Sequence, residues 1–552
     1  MMKLVNAILG VVGLLLSAIT TYLLFLSDQS FVDLVTSIVG GNTYAREIVT
    51  SLLSAEKILM IKAAFLILSA ATIFLTFRFR NIYPHFRDVA VVAGQSLMVR
   101  VKNSWPHFLL VATIPIVLSL YFAFHIPVEI DEAFTYLNFS SRSPVVSLTY
   151  YPAPNNHIFF SLLTSLSTSL PFGSQLLLLR LPSVLIYIFT LFAFFSFTRE
   201  YLTQNAAILA TAVFGLLFST LYYGFLARGY GLLMLCFIMA CYAAFKIVES
   251  PNRLAWLVFI VFSILGFYTM PSFLYPYLAL NLFVLLSDRS KLSKLLLSGV
   301  ITVAIVTVLY LPVILVNGLE ALAGNEYVRP ISRATVIAGL PAFLLNTLEV
   351  LFGYPAFLIL ALFIAALIVV TIAKPKLATF ALTLILAPIL FLIIHSVLPF
   401  PRTLIFFTAV IIFILAAASQ GILSRLSFPV VLGISLAIQV AQAVQFNSQI
   451  LQHQDKLFDS HKVVEQVAES ERIYVNAFLF DLYLEFYYKS QAIERPLIHT
   501  VTMPHTSADS LLDTYDVVVI DKEKDQTKDA CRIPGSVYYN VYKKCTTPAM
   551  LK

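Results

Sequence analysis

Apolar runs of about 20 residues recur from one end of this chain to the other, each long enough to cross roughly 30 Å of hydrocarbon. Lipid offers backbone N–H and C=O groups no outside partner, so such runs are normally solved as a helical bundle. Composition agrees. The chain is 59% hydrophobic and only 12% charged, with a mean hydropathy of +0.88, where an average soluble domain carries about 25% charged residues. The sequence predicts an all-α polytopic membrane bundle of about 13 transmembrane helices. They fall at 4–26, 57–77, 106–124, 180–198, 205–224, 230–247, 254–270, 272–287, 294–316, 350–373, 377–396, 402–419 and 428–446. The first run has Lys3 alone ahead of it and no small-residue cleavage signal, so it reads as a retained span, not a signal peptide.

The few charges are ordered. Arg78, Arg80, Arg87, Arg100 and Lys102 fall in one inter-span segment, and Arg199, Lys246, Arg253, Arg289, Lys291, Lys294, Lys374, Lys376 and Arg425 fall on the same side. By the positive-inside rule that side is cytoplasmic, and the N-terminus lies with it. Glu47, Glu129, Asp131, Glu132, Glu320 and Glu326 fall on the other side. An odd number of spans then puts the C-terminus outside. Residues 447–552 carry 12 Lys+Arg against 15 Asp+Glu, so the excess of basic residues belongs to the membrane part. There it serves as an orientation signal, and no nucleic-acid partner is expected.

Three units follow. Residues 1–105 read as a two-span hairpin with a cytoplasmic basic loop, and 106–446 as the main transmembrane domain with an external loop at 125–179. Residues 447–552 alternate helical patterns (459–469, 479–490) with strand patterns (472–477, 515–521), which predicts a small soluble extracytoplasmic α/β domain. Cys531 and Cys545 lie in that domain. An oxidising exterior suits a bridge between them, but spacing alone leaves two free thiols equally open.

In so charge-poor a chain, "VEIDEAFTY" (128–136) sets three acids directly after an apolar run, at the start of a long external loop. Loops of that length between spans usually serve a function. Within the loop, "NNHIFFSLLTSLSTSL" (155–170) has an apolar face and a Ser/Thr face, the pattern of a helix lying in the interface. Asn155, Asn156 and His157 stand at its start, where free N–H groups favour anions. Arg180 and Arg228 stand at the outer ends of their spans. Either arginine alone reads as a snorkelling anchor, whereas charges gathered at one depth suggest a site. Residues 317–345, with Glu320, Glu326, Tyr327, Arg329 and Arg333, form a second external loop, read as a covering flap or as a plain solvated loop.

The ordered set "DEAFTY", "PNNHIFFSLL", "LRLPSVL" and "LARGYGLLML" resembles the GT-C class of membrane glycosyltransferases. Its nearest likeness is the protein O-mannosyltransferase-like branch that includes the lipid A aminoarabinose transferases. The likeness covers about residues 106–250. Asn155-Asn156-His157 replaces the family's usual His-Pro-Pro pattern, and two spans (4–26 and 57–77) come before the one that leads into the acidic loop, where a single span before that loop is common. Further on, "LPFPRTLIFF" (398–407) resembles a late Pro-Arg-Tyr segment, with Thr403 in the Tyr position.

The resemblance implies transfer of a sugar from a polyprenyl-phosphate donor to an acceptor hydroxyl at the outer membrane face. The acceptor would be a lipid-linked glycan, a lipid or a protein. A carboxylate can take the hydroxyl proton: Asp131 would be the catalytic base and Glu132 its partner. Arginine forks suit the leaving phosphate. Asn155, Asn156, His157, Arg180, Arg228, Tyr230 and Arg402 are the expected substrate-binding residues. A divalent metal on Asp131 and Glu132 stays open, since two adjacent acids can hold one but no full oxygen cage is visible. A transporter or flippase of lipid-linked saccharides and a non-catalytic membrane scaffold displaying the C-terminal domain are the alternatives. The enzyme reading requires Asp131, Arg228 and Arg402 to line one cavity at the outer membrane face. A bacterial inner membrane is the expected location.

Overall fold

Side-chain caps set many helix starts. Ser174 Oγ accepts the amide of Leu177 to open Gln175–Tyr201, and Ser332 does the same at Thr335 for Arg333–Phe352. Each satisfies a donor that the first helical turn leaves free. The structure is a computed structural model describing all residues except 1, 40–42, 251–252, 325–328, 495, 529 and 545–552. It is a helical bundle with a small sheet domain at its C-terminal end.

Ten described helices are long and apolar enough to cross a membrane, or eleven if one bent pair counts as a span. The expected thirteen is not reproduced, for three reasons. The first run is helical over Met2–Phe25 but falls outside the ten because the side chains of 2–13 lie outside the described residues, while Arg253–Thr269 and Pro271–Ser287 are short. The run 205–224 is broken by 64° into Gln204–Gly215 and Phe218–Phe225. Finally, Arg333–Phe352 is helical and apolar where a loop was expected. Both ends of that last helix are tied to other elements. Ile331 N donates to Ser396 O, just past the helix Pro375–His395, and Leu351 O accepts from Ser219 Oγ. Glu326 and Tyr327 lie outside the described residues.

Backbone helicity continues from Ala55 to His125. The expected basic loop lies within 75–104, whose side chains are outside the described residues. Each end of this segment is tied to another part of the bundle. Lys57 Nζ donates to Val316 O at the end of Leu292–Asn317, and Ile126 O meets Arg180 beside the acids.

Glutamines on Phe428–His453 tie the bundle together. Gln439 Nε2 donates to Val111 O (2.7 Å), Gln442 Nε2 to Val213 O (3.2 Å), and both Gln445 and Gln449 to Gly353 O (2.6 and 2.7 Å). A helix break frees carbonyls that lipid cannot satisfy. Gln442 takes one near the 64° bend, and Tyr187 Oη takes Gly215 O at 2.5 Å. Gly353 closes Arg333–Phe352 at φ +74°, where glycine carries no Cβ penalty.

The C-terminal domain follows the expected alternation. Helices Asp455–Val467 and Phe480–Ser490 pack on a five-stranded sheet: β1 (Arg472–Asn476), β2 (Leu497–Thr500), β3 (Val517–Asp521), β4 (Cys531–Ile533) and β5 (Tyr539–Lys543). The order is β2-β1-β3-β5-β4, with β1 parallel to both neighbours and β5 antiparallel to β3 and β4. Cys531 is disulfide-bonded; Cys545 lies outside the described residues. Val463, Tyr483 and Phe486 of this domain share one buried apolar cluster with Val128 and Tyr136 of the acidic loop. The domain is therefore packed onto the bundle on the side of the acids.

Candidate active site

The short helix Ile130–Thr135 carries the acids, and its start is fixed twice over. Glu129 caps it, its Oε2 accepting the amide of Asp131 at 3.2 Å, while Glu132 Oε2 accepts the amide of Glu129 at 3.1 Å. This reciprocal capping box satisfies donors at both positions.

Glu132 then turns inward, where Arg180 meets it with no exposed surface on either side chain. Arg180 Nε donates to Glu132 Oε1 (2.9 Å) and Nη2 to Oε2 (2.6 Å). The remaining guanidinium donors go to Ala123 O, Ile126 O and Pro127 O. A guanidinium has five N–H groups, and all are used. Glu132 Oε1 also accepts the amide of Ala227 (2.7 Å), tying the loop to the turn that carries Arg228. Arg180, expected to bind substrate, therefore has no donor left for a ligand, and Glu132 faces away from solvent.

Asp131 turns the other way and stays a quarter exposed. Its Oδ1 accepts from Asn155 Nδ2 at 3.3 Å. Its Oδ2 lies 3.6 Å from Arg228 Nη2 and 3.3 Å from Arg402 Nη2. The three residues whose meeting the enzyme reading requires thus share one carboxylate oxygen. Arg228 Nη1 also donates to Asn155 Oδ1 and to Thr135 Oγ1. Arg402 comes from the turn Pro401–Leu404, its guanidinium over the rings of Tyr230 (5.7 Å) and Phe400 (4.7 Å). Arg228 faces the same Tyr230 ring at 6.0 Å. The Nε groups of Arg228 and Arg402 are buried without an acceptor, so both arginines keep donor capacity for a ligand.

His157 sits just ahead of Ile158–Thr168 and accepts the amide of Gly229 at Nδ1 (2.8 Å). That bond leaves the imidazole proton on Nε2, 3.5 Å from Arg228 Nη2. Two donors face each other there, an arrangement that a shared anion would resolve. Burial, reinforced by Arg228 and Arg402, holds His157 well below the ordinary histidine pKa, so the ring is neutral. The approach is close: a Cβ on Gly229 would lie 2.8 Å from His157 Cβ. Asn156, expected to contact substrate, is buried, with Nδ2 donating to Ser147 O and Tyr150 O.

The helix Ile158–Thr168 corrects the interfacial expectation. Its Ser/Thr face is buried: Thr164 Oγ1 bonds Ser140 Oγ (2.7 Å), Thr168 Oγ1 donates to Ser140 O (2.7 Å), and Ser165 Oγ donates to Arg142 O (3.3 Å). The hydroxyls are interior glue between two parts of the loop. Leu166 is exposed instead.

Glu129 is the residue sequence reasoning left out. It is half-buried, and burial together with Asp131 and Glu132 pushes its pKa up to about 7. Its position in "EIDE", two residues before an acid pair, was the available signal. Asp131 and Glu132 do not converge on a metal position. An ion at Asp131 would face two guanidinium groups, and Glu132 is saturated by Arg180 and two amides. Among the described residues, no group of three or more His, Cys, Asp or Glu side chains gathers as a metal site.

The comparisons with known proteins place this architecture with the fold of the GT-C membrane glycosyltransferases. Residues 155–316 match the family model of the dolichyl-phosphate-mannose-protein mannosyltransferases. The fold is similar to that of ArnT from Cupriavidus metallidurans bound to undecaprenyl phosphate, with a TM-score of 0.55 and 13% identity over 80% of this chain and 99% of that one. The apo state of the same ArnT gives a TM-score of 0.51 and 12% identity over 82% and 98%. Curated protein sequences give no match.

Proposed function

We propose that the protein transfers a sugar from a polyprenyl-phosphate donor to an acceptor hydroxyl. The observation that carries this reading is the single Asp131 oxygen shared by Arg228 and Arg402, whose Nε donors remain free. The acceptor oxygen attacks the anomeric carbon, its proton passes to Asp131, and the sugar–phosphate bond breaks. Carboxylates serve as such bases. The departing phosphate gains negative charge as that bond breaks, and fixed guanidinium groups in a partly dry site stabilise it without reorganising.

Asn155 orients both partners, since it donates to Asp131 and accepts from Arg228. Tyr230 supplies a ring face that steadies both arginines. Arg180 and Glu132 act as the buried anchor of the acid helix, outside the reaction. By the positive-inside rule the basic segments face the cytoplasm, which supports an extracytoplasmic position for this site and the C-terminal domain, in a bacterial inner membrane. The ArnT structure, with its bound undecaprenyl phosphate, supports a polyprenyl carrier of that kind. The test is a panel of polyprenyl-phosphate sugars offered to the purified protein. Release of polyprenyl phosphate dependent on Asp131 is expected, and no turnover of any donor would refute the reading.

A further inference from the structure

The segment 126–129 that delivers Asp131 is neither helix nor strand. Ile126 and Glu129 are both extended (φ −79°, ψ 128° and φ −88°, ψ 155°). Extended carbonyls away from water need partners, and side chains from elsewhere must supply them. Ile126 O and Pro127 O are taken by Arg180. The next carbonyl, that of Val128, is taken by the C-terminal domain: His461 Nε2 donates to it at 3.1 Å. Val128 itself is fully buried.

His461 is set in turn by its own domain. It lies on Asp455–Val467 with its ring against Tyr483 of Phe480–Ser490 (centroids 5.4 Å apart, 62° between planes). From that second helix Phe486 packs edge-on against Tyr136 at 5.0 Å. Tyr136 directly follows the acid helix Ile130–Thr135. The C-terminal domain therefore grips the acid helix on both flanks, by a hydrogen bond before it and an aromatic contact after it.

We propose that the C-terminal domain is part of the reaction centre and that His461 is a positioning residue for Asp131. This rests on Asp131 being the base of the transfer proposed above. His461 touches no reacting atom. It fixes the carbonyl three residues ahead of the base, and a base displaced by about 1 Å loses on the order of a hundredfold in rate.

Two substitutions of the full-length protein separate positioning from bulk. The amide nitrogen of Gln reaches where histidine Nε2 lies, whereas that of Asn reaches only to Nδ1. His461→Gln should keep kcat within about threefold of wild type, and His461→Asn should lower it about ten- to a hundredfold with the donor KM little changed. Hydrogen exchange gives a readout without activity. His461→Asn should raise exchange in peptides spanning 126–135, with the sheet of the C-terminal domain and the Tm unchanged, and His461→Gln should restore protection. Equal kcat and equal exchange for the two variants would overturn the proposal, as would a change in donor KM alone. A wild-type protein that turns over no polyprenyl-phosphate sugar would instead sink the transferase reading, and with it the catalytic role. The exchange result still decides the contact.

Discussion

Arg402 Nη2 lies 3.3 Å from Asp131 Oδ2, although one residue opens the first long loop and the other follows Pro399 and Pro401 far along the chain. The acid thus engages the cation that the proposed leaving phosphate needs. On the proposed mechanism Asp131 and phosphate compete for one guanidinium, and donor binding would redistribute the ion pairs before the carboxylate acts as a base.

Substituting Arg402 by lysine tests the fork specifically. Lysine also reaches the interface with its charge but lacks bidentate geometry. Arg402→Lys should be expressed normally and should lose about tenfold in donor affinity or turnover, roughly 1.4 kcal/mol. Full activity at low donor concentration would show that Arg402 only anchors its helix.

Glu129 should give the protein a pH response near neutrality. The folded state raises this carboxyl from its ordinary 4.5 to about 7, so it retains a proton that the unfolded chain releases. Its contribution to stability therefore declines as pH rises from about 4.5 through 7. Ionisation also adds a negative charge beside Asp131. Affinity for a polyprenyl-phosphate sugar, a phosphodiester whose own charge is constant here, should fall as pH rises through about 7. In Glu129→Gln it should stay flat. A wild-type binding curve as flat as the variant's would remove Glu129 from the site's electrostatics.

Arg180 and Glu132 should behave as structural residues. Both are fully buried, and removing one strands the other's charge, a loss of about 3–5 kcal/mol for a buried pair. Arg180→Met should sharply lower Tm and yield, while Arg402→Met leaves both near wild type. Comparable Tm values for the two variants would contradict the division between anchor and site.

Gly229→Ala should displace His157, because the added Cβ would meet its Cβ at 2.8 Å and Nδ1 at 2.9 Å. Turnover should fall about 10- to 100-fold with the fold retained by circular dichroism. Wild-type turnover would mean that the His157–Gly229 contact does not matter to the reaction.

Much of the site was legible because its chemistry needs charge where lipid discourages it. Asp131, Arg228 and Arg402 stand out in a 12% charged chain, and they meet. Arg180 stood out equally, yet it folds back on Glu132. A charge at a span end looks the same in sequence whether it faces a site or a buried partner. The Ser/Thr face of Ile158–Thr168 was visible as amphipathic, but its inward orientation depends on Ser140, a long-range partner that no local pattern reveals. The helix Arg333–Phe352 was hidden by Pro341 within it and by the flanking Arg329 and Arg333. The spacing Gln439, Gln442, Gln445, Gln449 follows one helix side and could have announced a polar seam. His461 could not be found this way, since only the docking of the C-terminal domain brings it to Val128.

The most direct test of the account is Asp131→Asn, measured for both binding and turnover in one preparation. The amide keeps the size of the carboxylate but gives up its charge and its basic oxygen. Turnover should fall about 10²–10⁴-fold, the scale of general-base catalysis. Affinity for polyprenyl phosphate should rise severalfold, because Arg228 and Arg402 no longer have to leave an acid. Turnover within a few-fold of wild type, or weaker carrier binding in the variant, would contradict the claim that Asp131 is the base and phosphate its rival for the arginines.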